Sequence, residues 1–186
     1  AFLFIFTPIA ASFIFSFNSD RFPSLPLGSF SLKWYQTVLA RPEVIEAAWT
    51  SLIVAVCSAV LSTFIGFCTA YTDYRYNFFG KQAYLALAML PPTIPLIIMA
   101  LAMLSWLAQI GLSGKIISII ISHTVLGAPF AMAVIRLRLN DMDGSLEAAS
   151  WNLGASEWRA MWEVVIPFTK PAIVAALCLT AAVSFD

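Results

Sequence analysis

The sequence predicts an all-α, polytopic membrane protein, and three observations carry that reading. Of its residues 61% are hydrophobic and 11% charged, whereas a soluble domain carries about a quarter charged residues to wet its surface. Its mean hydropathy is +0.88. The apolar residues collect into runs at about 1–17, 48–71, 83–110, 116–139 and 171–186, and a spanning helix needs roughly 20 of them. A chain this apolar needs a lipid bilayer as its solvent. The formal net charge is zero with a pI near 6.8, so no basic field points to nucleic acid.

The first run lacks the basic flank and small-residue cleavage site of a signal peptide. It is expected to be the remainder of a first spanning helix. Ala1 and Asp186 both lie in apolar stretches, so both ends are expected to be cut. Residues 18–47 form a polar gap with the turn-like stretch FPSLPLGS and then FSLKWYQTVL. The latter reads as a short amphipathic helix, with Trp34 and Tyr35 suited to a headgroup layer. A second gap, 72–82, carries Asp73, Arg75 and Lys81; a third is the tight GLSGK at 111–115.

Placing the second and fourth gaps on one side collects Arg75, Lys81, Arg136, Arg138, Arg159 and Lys170. The other side holds Arg21, Lys33, Arg41 and Lys115. The positive-inside bias therefore puts the long 140–170 loop in the cytoplasm.

Breakers interrupt two runs. Pro91, Pro92 and Pro95 lie in the third, and Gly127 with Pro129 midway through the fourth. Proline lacks a backbone donor and clashes with the preceding turn, so kinks are expected at both places. Such breaks survive in a membrane where protein or a water-filled cavity satisfies the freed carbonyls. Either ordinary kinks or a translocation path accounts for them. Cys57, Cys68 and Cys178 sit in apolar runs and read as buried thiols. With one His they offer no metal-binding spacing.

Residues 139–171, LNDMDGSLEAASWNLGASEWRAMWEVVIPFTKP, are the one long polar interruption. Asp141, Asp143 and Gly144 make a turn, with Ser145 as expected N-cap. A short helix follows, with Leu146, Ala149 and Leu153 on one face, and Gly154 stands where a helix end wants a left-handed residue. Ser156 is expected to cap a second helix with Trp158, Met161, Trp162 and Val165 on an apolar side. Pro167 is expected to stop it, Thr169 to cap the next span, and Pro171 to take its first position. On pattern alone this helix–turn–helix is either a lipid-surface anchor or a docking element for a soluble partner. Ala148, Ala149 and Ala155 around the Gly turn suit close approach by a protein.

Glu147-Ala148-Ala149, then Gly154, then Val164-x-Ile166-Pro167 resembles the EAA loop of ABC-importer permeases, whose pattern is E-A-A-x3-G-x9-I-x-L-P. SFNSDRF at 16–22, LKWY at 32–35, MLPPTIP at 89–95 and SHTVLGAPF at 122–130 resemble the second permease subunit of spermidine/putrescine importers. The resemblance implies a type I ABC importer permease fold. Residues 1–186 would form a single transmembrane permease domain, with about five of six spans present and a coupling helix at about 145–158. It also implies ATPase contact at Glu147, Ala148, Ala149, Gly154, Ala155 and Ser156, with Ser145, Ile166 and Pro167 shaping the loop. Glu147 reads otherwise as a solvated carboxylate at a helix start.

Candidate translocation-path residues are Pro92, Pro95, His123, Pro129 and Asp186. An intramembrane carboxylate such as Asp186 is costly enough to be a functional hypothesis. His123 fits a structural hydrogen bond to a neighbouring helix better than substrate contact. No phosphate-cradling loop or nucleophile–base motif is visible, so no catalytic residue and no cofactor is expected, ATP being bound by partner subunits. The partners implied are two ATPase subunits, a second permease subunit in a heterodimer, and an external solute-binding protein, at a bacterial inner membrane. The cargo implied is a polyamine; thiamine, iron and phosphonate are alternatives. The rival from another class is a membrane scaffold that recruits a soluble protein through the 140–170 loop.

Overall fold

The computed structural model describes residues 2–22 and 28–185, apart from the Leu3 side chain. Asp186 lies outside the described residues. Every regular element among them is helical, with one isolated antiparallel bridge between Asn18 and Phe30. Residues 1–49 and 50–186 form two compact units.

In the first unit, α1 (Phe2–Phe15) is followed by a turn held by Asn18, whose side-chain oxygen accepts from the Gly28 N–H at 3.0 Å. The Trp34 indole donates to the Asn18 carbonyl at 3.0 Å, and Phe17 stacks on Phe30 with centroids 5.1 Å apart. The expected short helix is α2 (Lys33–Leu39).

The second unit is built on three helices long and apolar enough to cross a membrane: α3 (Pro42–Arg75), α6 (Ile116–Asn140) and the continuous segment Glu157–Phe185. The run at 83–110 is broken instead. It divides into α4 (Lys81–Ala88), a single 3-10 turn at Pro91–Thr93 and α5 (Leu96–Gln109), with Pro95 at the cap. Three prolines in five residues withdraw donors from one helical turn, and the chain breaks where the sequence leads one to expect it. Pro129 behaves differently. It is buried and α6 passes through it without interruption. The Ser62 hydroxyl of α3 donates to the Thr124 carbonyl, in the turn before that proline, at 3.2 Å. The carbonyl that Pro129 leaves without its helical donor is that of Val125, one residue on, so this bond ties α3 to α6 beside the proline without replacing the missing one.

Small residues bring these helices together. Ala55, Ser58, Ala59, Ser62, Gly66 and Ala70 of α3 are buried in line, the spacing that lets backbones approach within lipid. A Cβ at Gly66 would stand 2.6 Å from the Met132 backbone nitrogen, so α3 and α6 touch there backbone to backbone. Toward one end the core widens to Met132, Ile135, Leu139, Met142 and Val165. The outward faces of α3 and α5 remain apolar, with Val56, Val60, Phe64, Ile97 and Leu101 all exposed. Such a surface is stable against hydrocarbon and costly in water. The Cys68 and Cys178 thiols, expected to be buried, are exposed as well; an apolar run marks contact with lipid as readily as contact with protein.

Candidate coupling loop

Between α6 and the last span the chain forms α7 (Ser145–Asn152), a turn at Gly154, and α8 (Glu157–Ala160). Asp143, and not Ser145, closes the start of α7. Its carboxylate accepts from the Ser145 N–H at 2.9 Å, and Ser145 is the first helical residue. That bond, with a second from the Ser145 hydroxyl, holds the Asp143 carboxyl below its ordinary range. Gly154 has φ of +86°, and among the described residues, its chain neighbours aside, no atom stands within 4 Å of where a Cβ would lie; this is the left-handed end that glycine adopts without strain. Ser156 caps α8, accepting from the Arg159 N–H at 3.3 Å.

The expected stop at Pro167 does not occur. Met161–Val165 is a π-helical turn that leads directly into α9 (Ile166–Phe185), with Pro167 in its first turn and Pro171 inside it. Proline's ring collides with the carbonyl four residues back. A widened turn ahead of it relieves that collision, and the helix continues. Thr169 is therefore not a cap. Fully buried, its hydroxyl donates to the Val165 carbonyl at 2.8 Å. The same turn splits the expected apolar side: Met161 and Val165 are buried, while Trp158 and Trp162 are exposed.

The apolar face of α7 points away from the helices. Leu146 is exposed, Ala149 is exposed, and Leu153 is 89% exposed. Glu147 turns the other way and is 4% exposed. Its carboxylate lies beside the Tyr74 phenol of α3, and its Oε1 is buried without a hydrogen-bond partner among the described residues. Ala148 and Ala155 are half-buried and Ser156 is exposed. The position of Glu147 has a reason in the motif itself. Four residues separate Ala149 from Gly154, one more than the EAA pattern specifies. Counted back from the glycine, the pattern's glutamate falls at Ala148, and Glu147 lies about 100° away around the helix. The spacing from Gly154 to Val164, Ile166 and Pro167 follows the pattern unshifted.

Two residues at the end of α3 tie the loop down, and in the sequence both read only as charges in a short gap. Arg75 lies over the Trp151 ring, its guanidinium carbon 4.5 Å from the centroid, and pairs with Glu157 at 3.3 Å. Asp73, two residues earlier, is buried, and its carboxylate meets Arg136 of α6 at 2.5 Å and Lys81 of α4 at 3.2 Å. A cavity of about 650 Å³ opens beside them, lined also by Tyr74, Gln82 and Asn140. An aspartate and an arginine closing a predicted span, opposite a polar loop, are the signal that could have marked them.

The other candidates lie elsewhere. Pro92 and Pro95 are in the break before α5. His123 faces the inside of the bundle, its Nδ1 2.7 Å from the Ser184 hydroxyl, which in turn accepts from Ser58 at 3.1 Å. One polar chain thus joins α6, α9 and α3. His123 also borders a cavity of about 380 Å³ with Leu104, Lys115, Ser118 and Ser122.

Three helices long and apolar enough to cross a membrane, with a folded polar loop between two of them, define a helical membrane protein. Residues 62–186 match the family of binding-protein-dependent transport system inner membrane components. The chain belongs to that family, the permease subunits of ABC importers. It is 32% identical over 183 residues to the spermidine/putrescine transport system permease protein PotC of Haemophilus influenzae, covering 98% of this chain and 71% of that protein. The putrescine transport system permease protein PotI of Escherichia coli is 26% identical, with 100% and 68% covered. A probable sulfate transport system permease protein, cysT of Chlorokybus atmophyticus, is 30% identical over 79% of this chain and 56% of its own length.

Proposed function

We infer that this permease subunit carries polyamines such as spermidine or putrescine inward, and that α7 is the helix on which a separate ATPase subunit docks. The cargo reading rests on the likeness to a spermidine/putrescine permease along 98% of the chain. The docking reading rests on one observation above all. In a chain of this family, α7 shows an apolar face of Leu146, Ala149 and Leu153 to the outside and ends at a glycine turn. Exposed apolar surface on an otherwise polar loop favours burial against a partner.

Residues 1–186 make one permease domain on this reading, with α1 and the broken α4–α5 segment as further crossings of a five- or six-span fold. The excess of basic residues puts the loop in the cytoplasm, where two ATPase subunits reach it; a second permease subunit and an external binding protein complete the system. The chain needs no ATPase site or cofactor of its own. Pro92, Pro95, His123, Pro129 and Asp186 are the candidates for the path. The mechanism is alternating access: ATP-driven closure of the ATPase pair displaces residues 145–158, and the broken helices rock about the site between them.

The test is a carboxylate on the docking face. Leu153→Glu should release the ATPase subunits from the detergent-purified complex while the permease stays in the membrane. Full retention of those subunits by the variant would refute the docking. Uptake of labelled spermidine into vesicles holding the complete transporter tests the cargo, and competition by sulfate in place of putrescine would replace it.

A further inference from the structure

We propose that Arg75 is a positioning residue that passes the displacement of the docking helix to α3. The proposal rests on the docking reading above. The loop is joined by its own backbone to α6 on one side and α9 on the other. Those two helices receive any push on α7 directly. No backbone joins the loop to α3, so α3 follows it through its packing on α6 at Gly66 and through the side chains of its last turn, which meet the loop itself.

Arg75 grips both helices of the loop at once. Its guanidinium stacks over Trp151 in α7 and pairs with Glu157, the first residue of α8. The two contacts stand on opposite sides of the Gly154 turn, so the arginine spans the hinge of the helix–turn–helix. A planar guanidinium can stack with its face and bond with its edge at the same time, which a lysine ammonium cannot do. Tyr74 stands beside Glu147, one turn before Trp151 on α7. Asp73, in the same turn of α3, continues the connection to Arg136 and Lys81. The end of α3 is thus held to the loop on one side and to α4 and α6 on the other.

Two native cysteines provide the readout. Cys68 lies on α3 and Cys178 on α9, and both thiols are exposed. In the complete transporter, in membranes, the labelling rate of each by a membrane-permeant maleimide is compared without nucleotide and after trapping with ATP and vanadate. In the wild type the rates of both should change on trapping. Arg75→Ala should diminish the change at Cys68, where packing on α6 alone remains, and keep the one at Cys178, because α9 is still pushed through its backbone. Arg75→Lys should recover part of it through the Glu157 pair. The double variant Trp151→Leu/Glu157→Gln removes the same grip from the loop side and should repeat the alanine result, should Arg75→Ala fail to assemble.

A change at Cys68 that persists undiminished in both variants overturns the proposal. So does a wild type in which Cys178 responds and Cys68 does not, or variants in which both responses vanish together. A wild type in which neither thiol responds refutes the docking reading itself.

Discussion

The Asp73 carboxylate meets the Arg136 Nε at 2.5 Å, joining the last turn of α3 to α6 from a position only 5% exposed. Its other oxygen faces Lys81 of α4 at 3.2 Å. One buried anion therefore holds two cations that would otherwise repel each other across the mouth of the cavity. Removing one partner of a fully buried pair costs about 3–5 kcal/mol. Here both cations keep some access to water, with 25% and 40% of their side chains exposed, which lowers the expected figure.

Asp73→Asn should destabilise the protein by about 2 kcal/mol, somewhat below that buried-pair range. Thermal unfolding in detergent reads this as a lower midpoint. Asp73→Asn combined with Arg136→Met should cost less than the sum of the two single changes, because the second removes the charge the first leaves exposed to its neighbour. Strict additivity would mean that the 2.5 Å contact carries no coupling.

Two glycines in the α3–α6–α9 packing should differ in how they tolerate a methyl group. At Gly66 the new Cβ would press on the Met132 backbone nitrogen at 2.6 Å and the Ala131 Cβ at 2.7 Å. At Gly127 it would meet the Ser62 hydroxyl at 2.6 Å and the Thr180 methyl at 3.4 Å. Overpacking costs about 1–3 kcal/mol. Gly66→Ala should fall at the top of that range, since backbone must move. Gly127→Ala should fall lower, and Ser62→Ala should relieve part of it, because the hydroxyl is then gone while the Cβ of residue 62 stays at 3.1 Å. Detergent unfolding midpoints for the three variants decide the order.

Sequence periodicity locates the long helices, the short α2, the break at Pro91–Pro95 and the two helices of the loop, because each depends on residues close together in the chain. It falls short wherever a distant residue decides the outcome. Leu146, Ala149 and Leu153 do share one face of α7, but period alone does not say whether a face looks inward or outward. Glu147 packs inward beside Tyr74 of α3, more than 70 residues away, and that contact fixes which face looks out. Pro167 carries a strong local stop signal, yet the turn before it widens and the helix continues, held by packing of Val165 and Thr169 in the core. Asp73 is one of three charges in a short gap until Arg136 is brought beside it. The shifted register of the EAA motif is the exception, since counting back from Gly154 shows it in the sequence alone.

The start of α7 should depend on pH through Asp143. Its carboxyl is held below the ordinary range by the Ser145 N–H and hydroxyl, so it stays ionised in the folded loop at pH values where the unfolded chain begins to bind a proton. Its contribution is therefore complete above the ordinary carboxylate range and is lost as pH falls through the lower, folded value. Hydrogen-exchange protection of the Ser145 amide should be flat near neutrality and fall in that acid window. Asp143→Asn, which keeps an acceptor but has no proton to gain, should remove the dependence; a variant that still loses protection there would assign the effect to another group.

Gly154 sets the angle between α7 and α8, and its requirement is conformational and not spatial. Its φ of +86° is strained for any residue with a Cβ, whereas among the described residues, its chain neighbours aside, no atom stands within 4 Å of where that Cβ would lie. A left-handed non-glycine residue costs about 1–2 kcal/mol, and asparagine is among those that adopt the conformation most readily. Size alone should therefore matter little to the isolated subunit. Gly154→Asn should retain the turn and the ATPase subunits, while Gly154→Val, β-branched and stiffest there, should open the turn and weaken the hold of Arg75 across it. Co-purification of the ATPase subunits ranks the variants, and equal retention by Asn and Val would show that the left-handed turn is dispensable for docking.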